Sequence, residues 1–298
     1  AELFELLRDK RVVIEPASME LRITDEPIRP YLELERASSG SVKVRVFFVL
    51  ESNGRRFSLS SGAWFEGNPG YHVDTTEGVA RPIADAVTPA ALAACKKLIL
   101  DTVGCSIAAW NAPGVPEMCE QFVAWGGARE STVLVHGAKL PSPNAAFLNS
   151  AMAHALDYDD LHDPSALHIS SVVLPVVLAT GELAQATGKD LLVAMVLGIE
   201  AACRVGMPYN QRRTGQQGRG FLPTSVIGGF GAALAACRLL GHSVDQAVHA
   251  SGINYAQASG NRQSLFEKTL TKRLQPAFTA RNALWAVLLA GHGITGPE

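Results

Sequence analysis

The sequence predicts an α+β chain with segregated parts: a small β-rich N-terminal unit over residues 1–86, followed by an all-α helical bundle over 87–298. Two changes near residue 86 carry that expectation. Of the first 86 residues 25 are charged, against 29 of the remaining 212, so charge density halves at that point. The spacing of apolar residues changes there too, from alternation to helical period. Tyr31 to Glu35 and Ser41 to Phe48 alternate apolar with polar, the pattern of half-buried antiparallel strands. Ser52-Asn53-Gly54 marks a hairpin, and Glu66-Gly67-Asn68-Pro69-Gly70 marks a loop.

Beyond the break, Thr88-Pro89 and Ser142-Pro143 each place a capping residue before a proline at the first helical position. The periodicity predicts helices over 89–110, 115–125, 143–158, 170–186, 190–206, 224–240, 243–258 and 276–291. Leu191 to Ile199 has no wide polar face, so its helix must lie inside a bundle or against another subunit. Small residues at 231–237 and 277–286 permit close helix approach, and a homodimer built on apolar helices is expected.

Composition narrows the function. The 298 residues are 47% hydrophobic and 18% charged, a globular balance, and a chain of this length buries roughly three quarters of its unfolded surface. Lys and Arg number 26 against 28 Asp and Glu, well interspersed. That pattern offers neither a basic stripe for nucleic acid nor a polybasic membrane patch, so a small polar substrate or another protein is the expected partner. Val172 to Thr180 and Leu191 to Ile199 each supply about half of the ~20 apolar residues that a membrane span needs. The five cysteines form no C-x-x-C pair for zinc or an iron–sulfur cluster and read as reduced core thiols. Ala1 to Arg11 carries three acids where a signal peptide would be basic, so a cytoplasmic location is expected.

The densest polar cluster runs from His154 to His168, with Asp157, Asp159, Asp160, His162 and Asp163 between. If its helix continues to Tyr158, His154 shares a face with Asp157 and Tyr158, and a histidine beside a carboxylate can work as a general base. The competing reading is a helix end running into a solvated acidic loop; the apolar neighbourhood favours chemistry, because buried acids need partners. A calcium loop is excluded by His162 and His168 at positions that need Gly and Glu. Asp159-Asp160-Leu161-His162-Asp163 also matches the D-D-x-x-D of magnesium-dependent isoprenoid synthases, but no second metal-binding motif accompanies it. Lys268 to Pro276 is cationic and precedes a helix expected from Pro276, so Lys272 or Arg273 with the helix N-terminus could hold a carboxylate. A solvated basic loop is the alternative. Arg212 to Gly220 is glycine-rich and basic but matches no phosphate loop, while Asn261-Arg262-Gln263 could face the same cavity.

The blocks Ala153-His154-Ala155-Leu156-Asp157-Tyr158-Asp159-Asp160, Leu167-His168, Leu174-Pro175, Leu191 to Glu200, Gly229 to Ala233, Leu270 to Leu274 and Gly293 to Pro297 occur in an order that resembles the MmgE/PrpD family over residues 87–298. That family includes 2-methylcitrate dehydratase, cis-aconitate decarboxylase and iminodisuccinate epimerase. The resemblance implies a lyase without metal or organic cofactor, acting on a small di- or tricarboxylic acid by proton abstraction next to a carboxylate, as in 2-methylcitrate dehydratase. An epimerase or isomerase is the alternative within the family. It implies His168 as the proton-transfer group, Asp157 as its partner or a second acid/base, and Lys272 as a carboxylate clamp; Arg273, His162, Gln275 and Asn261 are expected to bind substrate.

Departures from the family pattern point to a divergent subgroup: Leu161 stands for Thr, Ile169 for Pro, Leu222 for His and Gln275 for His. The family also continues into an α+β lid that is expected to lie outside this chain. That leaves, from a different class, an inactive helical domain acting by association.

Overall fold

The computed structural model describes the backbone of residues 21–22, 27–36, 42–52 and 55–64, and the chain over 87–212 and 220–297, with side chains over 87–210 and 220–297. Two compact units emerge, Ala1–Thr88 and Pro89–Glu298. In the first, β1 (Leu21–Arg22), β2 (Pro27–Arg36), β3 (Val42–Ser52) and β4 (Arg55–Trp64) pair antiparallel in chain order. Ser52 pairs with Arg55, so β3 and β4 join through two residues. Asn53, Gly54, the loop expected at 66–70, the acidic start at 1–11 and the glycine-rich stretch at 213–219 lie outside the described residues.

The second unit holds α1 (Pro89–Ala108), α2 (Val115–Trp125), β5 (Ser131–Thr132), β6 (Lys139–Leu140), α3 (Ser142–His154), α4 (Ser170–Ala184), α5 (Gly188–Arg212), α6 (Pro223–Leu239), α7 (Val244–Ala256), α8 (Gln263–Phe266) and α9 (Thr271–Gly291). It is helical but not wholly so. The β5–β6 ribbon is tied down by α4, whose Ala179 carbonyl accepts from Ser131 Oγ at 2.8 Å and whose Glu182 carboxylate accepts from the Thr132 N–H at 2.8 Å. Periodicity missed it because each strand has two residues.

Two helix ends differ from expectation where the chemistry lies. α3 stops at His154 instead of 158, because the chain tightens into a turn and Asp157 takes a left-handed φ of 62°. Aspartate tolerates that region better than most residues. Asp157 is therefore not on a helix face with His154, and Tyr158 is 76% exposed. α9 starts at Thr271 and takes Pro276 into its interior. Proline offers no N–H to the carbonyl four residues back, which is that of Lys272.

α9 is the central helix, packing against α3, α4, α6 and α7. Its buried face carries Ala277, Ala280, Ala283, Leu284, Val287 and Ala290, small enough to admit several neighbours at once. α5 is the one described helix long and apolar enough, by length and composition alone, to cross a membrane. Its Ala194, Met195, Ala202 and Cys203 are buried in the main core, and it packs along α6. The five cysteines are free; burial pushes Cys95, Cys119 and Cys203 up to about 11 and Cys237 to about 12, so they remain thiols.

Candidate functional site

Three elements bring the polar cluster together. α3 delivers His154 at its last residue, the turn after it delivers Asp157 and Asp159, and the segment before α4 delivers His168. Across from them, the first turn of α9 delivers Lys272. His168 is fixed by its backbone: its N–H donates to Thr224 Oγ1 at 2.9 Å, and Ser171 Oγ donates to its carbonyl at 2.7 Å.

Asp159 lies at the bottom of the cluster with a fully buried side chain. Both its oxygens face His154 Nδ1, at 2.9 and 3.0 Å, and Oδ2 is also 3.6 Å from His168 Nδ1. On the other edge of the same imidazole, His154 Nε2 lies 3.0 Å from Lys272 Nζ. Lys272 also donates to Asp157 Oδ1. The two imidazoles meet edge to face, their centroids 5.0 Å apart. Burial would raise the Asp157 pKa, but the hydrogen bond and charge of Lys272, with His154 and His168 nearby, outweigh it and hold the carboxyl below its usual range.

One donor atom from each of His154, Asp157, Asp159 and His168 lies within 4.8 Å of the others, a spread that would suit a metal ion. The Lys272 ammonium already stands between His154 and Asp157 as a resident cation. Of the acids in the D-D-x-x-D match, Asp159 turns to His154, Asp160 accepts from the Ser170 N–H at 3.1 Å, and Asp163 is exposed. They do not converge on a magnesium site.

Asp157, His168 and Lys272, singled out from the sequence, therefore converge, far inside the ~10 Å that one small substrate could bridge. The other four residues are engaged elsewhere. Arg273 Nη1 donates to the Pro113 carbonyl at 2.8 Å, and His162 Nδ1 lies 2.6 Å from Ser165 Oγ. Gln275 is buried and donates to the Asn261 carbonyl and Ser264 Oγ at 2.7 and 2.6 Å, holding the loop before α8. Asn261 Oδ1 accepts from the Gln263 N–H at 3.0 Å. The sequence reading did not pair His154 with Asp159 or find Thr224; the i,i+5 spacing of the first pair is visible, but not the turn that closes it.

The MmgE/PrpD N-terminal domain matches residues 74–298. The chain belongs to the MmgE/PrpD family. Among relatives of this MmgE/PrpD chain, the cis-aconitate decarboxylase-like protein oryM of Aspergillus oryzae is 32% identical over 208 residues, 67% of this chain and 42% of that protein. The cis-aconitate decarboxylase of Aspergillus terreus is 32% identical over 203 residues, covering 66% and 41%, and that of Homo sapiens 31% over 206, covering 67% and 42%. The chain thus spans about two fifths of the length of the curated relatives it matches. The family match begins at 74, ahead of the boundary expected near 87.

Asp160 gives a stability test beside this site. Its pKa is raised to about 6, chiefly by burial and further by Asp159 and Asp101, against the opposing Ser170 hydrogen bond. Above pH 6 the folded protein holds an ionised carboxylate in an unfavourable place; below about pH 4 the group is protonated in folded and unfolded chains alike. Asp160→Asn, which can still accept from Ser170, should stabilise the fold by about 1–3 kcal/mol at pH 8. The gain should fade between pH 6 and 4. Denaturant midpoints at pH 8 and pH 4 measure it, and an equal change at both would contradict the burial argument.

Proposed function

We propose that this protein is a cofactor-free lyase acting on a small tricarboxylic acid, with cis-aconitate the first substrate to try. The observation that carries this is the convergence of Lys272, Asp157 and His168 on one partly open cluster. The names of the relatives favour cis-aconitate over 2-methylcitrate.

In this reading the exposed Asp157 carboxylate occupies Lys272 while the site is empty. A substrate carboxylate replaces it, because Lys272 gains an equivalent anionic partner that carries the reacting carbon. His168 moves a proton at that carbon. In decarboxylation the bond to the departing carboxylate breaks, its electron pair shifts into the carbon skeleton, CO2 leaves, and a proton is delivered to the carbon that receives the pair. In dehydration the same group removes the proton next to a carboxylate while hydroxide leaves from the neighbouring carbon. A homodimer and a cytoplasmic location belong to the same proposal.

Proton NMR of the folded protein in deuterated water, with cis-aconitate, 2-methylcitrate, citrate and iminodisuccinate in turn, tests it. Deuterium entry with new alkene signals, both lost in Lys272→Ala, is the expected result. Deuterium entry without a new alkene would indicate an epimerase. No exchange with any of the four would overturn the lyase reading in favour of a helical domain that acts by association.

A further inference from the structure

We propose that Asp159 and His154 are positioning residues, a buried pair that sets which nitrogen of each imidazole faces the carboxylate and thereby leaves His168 Nε2 as the atom that takes up and hands on the reacting proton. For its effect on rate this rests on the proposed function; for its effect on the histidines it does not.

The argument starts from what each partner can do. A lysine ammonium only donates, so His154 Nε2, 3.0 Å from Lys272 Nζ, must be the bare nitrogen. An ionised carboxylate only accepts, so His154 Nδ1, facing both oxygens of Asp159, must carry the proton. The two neighbours thus specify one neutral tautomer of a histidine whose side chain is only 5% exposed.

Asp159 has capacity left after serving His154, since two carboxylate oxygens offer about four acceptor positions. Its Oδ2 is 3.6 Å from His168 Nδ1, a buried atom with no hydrogen-bond partner of its own. A shift of a few tenths of an ångström would complete that bond. With Nδ1–H directed at Asp159, His168 presents Nε2 as its acceptor. When Nε2 takes up a proton, the resulting imidazolium lies against a carboxylate that has no solvent to screen it. One buried carboxylate therefore serves both rings, while the His154 edge holds Lys272 where a substrate carboxylate can reach it.

The test has one readout independent of substrate. Long-range proton–nitrogen NMR of 15N-labelled protein distinguishes the two histidine tautomers, with His154 and His168 signals assigned by single replacements. In the unaltered protein both rings should carry the proton on Nδ1. In Asp159→Asn, which keeps one accepting oxygen but loses the charge and the second oxygen that hold the two rings, His168 should shift to a mixture or to the Nε2–H form. Deuterium entry with a responsive substrate should fall at least tenfold in kcat with KM within about twofold, because Asp159 does not contact substrate. An Nε2–H His168 in the unaltered protein, or an unchanged His168 tautomer in folded Asp159→Asn, would overturn the proposal.

A second pair of variants covers the case where Asp159→Asn does not fold. Glutamine offers a donor and an acceptor that mimic the neutral imidazole, so His154→Gln should recover most of the activity that His154→Leu loses. Equal kcat in the two folded variants would overturn it as well.

Discussion

Replacing His168 by alanine is expected to lower deuterium entry or alkene formation by about 10²–10⁴-fold, the range that a positioned proton-transfer group contributes. The substitution is a clean one. The hydrogen bonds that fix this segment, to Thr224 Oγ1 and from Ser171 Oγ, use the His168 backbone and survive loss of the ring. The ring nitrogen that disappears, Nδ1, has no completed hydrogen bond to lose. What the fold loses is the ring's edge-to-face packing on His154, so stability should fall by about 1–2 kcal/mol while the rate collapses. Steady-state kinetics beside a thermal melt separate the two effects. An unaltered rate in a folded His168→Ala protein would remove His168 from the reaction and move proton transfer to Asp157 or His154.

How far the sequence reached is clearest at α3 and α9. Alanine-rich helical period and the Ser142-Pro143 start located α3, but its end depends on Asp157 adopting a left-handed φ of 62°, which periodicity does not encode. The consequence is chemical: the expected helical face of His154 with Asp157 and Tyr158 gives way to a turn that places Asp159 under His154. Pro276 read as a helix start because proline favours the first turn, yet α9 begins at Thr271 and accepts the lost bond. Lys272 therefore lies within the first helical turn, and its side chain turns to Asp157 and His154. The apolar neighbourhood marks the acids of this run as needing partners, but which of them is buried, and that Asp159 serves His154, is decided by long-range packing. For His162, Arg273, Gln275 and Asn261, expected to bind substrate, the hydrogen bonds to Ser165, Pro113, Ser264 and Gln263 that tie them to neighbouring loops are long-range or loop geometry that the sequence does not encode.

The largest effect expected on the fold itself lies where α5 crosses α6. Gly198 and Gly231 face each other there, and a Cβ on Gly231 would overlap the Gly198 carbonyl oxygen and stand 2.8 Å from Ala202 Cβ. On Gly198 a Cβ would stand 2.9 Å from the Gly231 carbonyl oxygen and 2.8 Å from Val173 Cγ1. Backbone cannot rotate out of the way as a side chain can, so the two helices would have to separate, loosening Ala194, Met195 and Ala202 from the main core. Alanine is favoured over glycine in a helix by about 1 kcal/mol, but overpacking of a tight crossing costs more. Gly231→Ala should destabilise by about 2–4 kcal/mol and lower Tm by roughly 5–15 °C. Gly104 in α1 supplies the control, being exposed with nothing within 4 Å of an added Cβ. Gly104→Ala should stabilise by about 0.5–1 kcal/mol through helix propensity alone. Chemical denaturation of both variants measures the contrast; if Gly231→Ala were as stable as Gly104→Ala, α5 and α6 would not be in contact through these glycines, and the packing that supports the Lys272 site would need another origin.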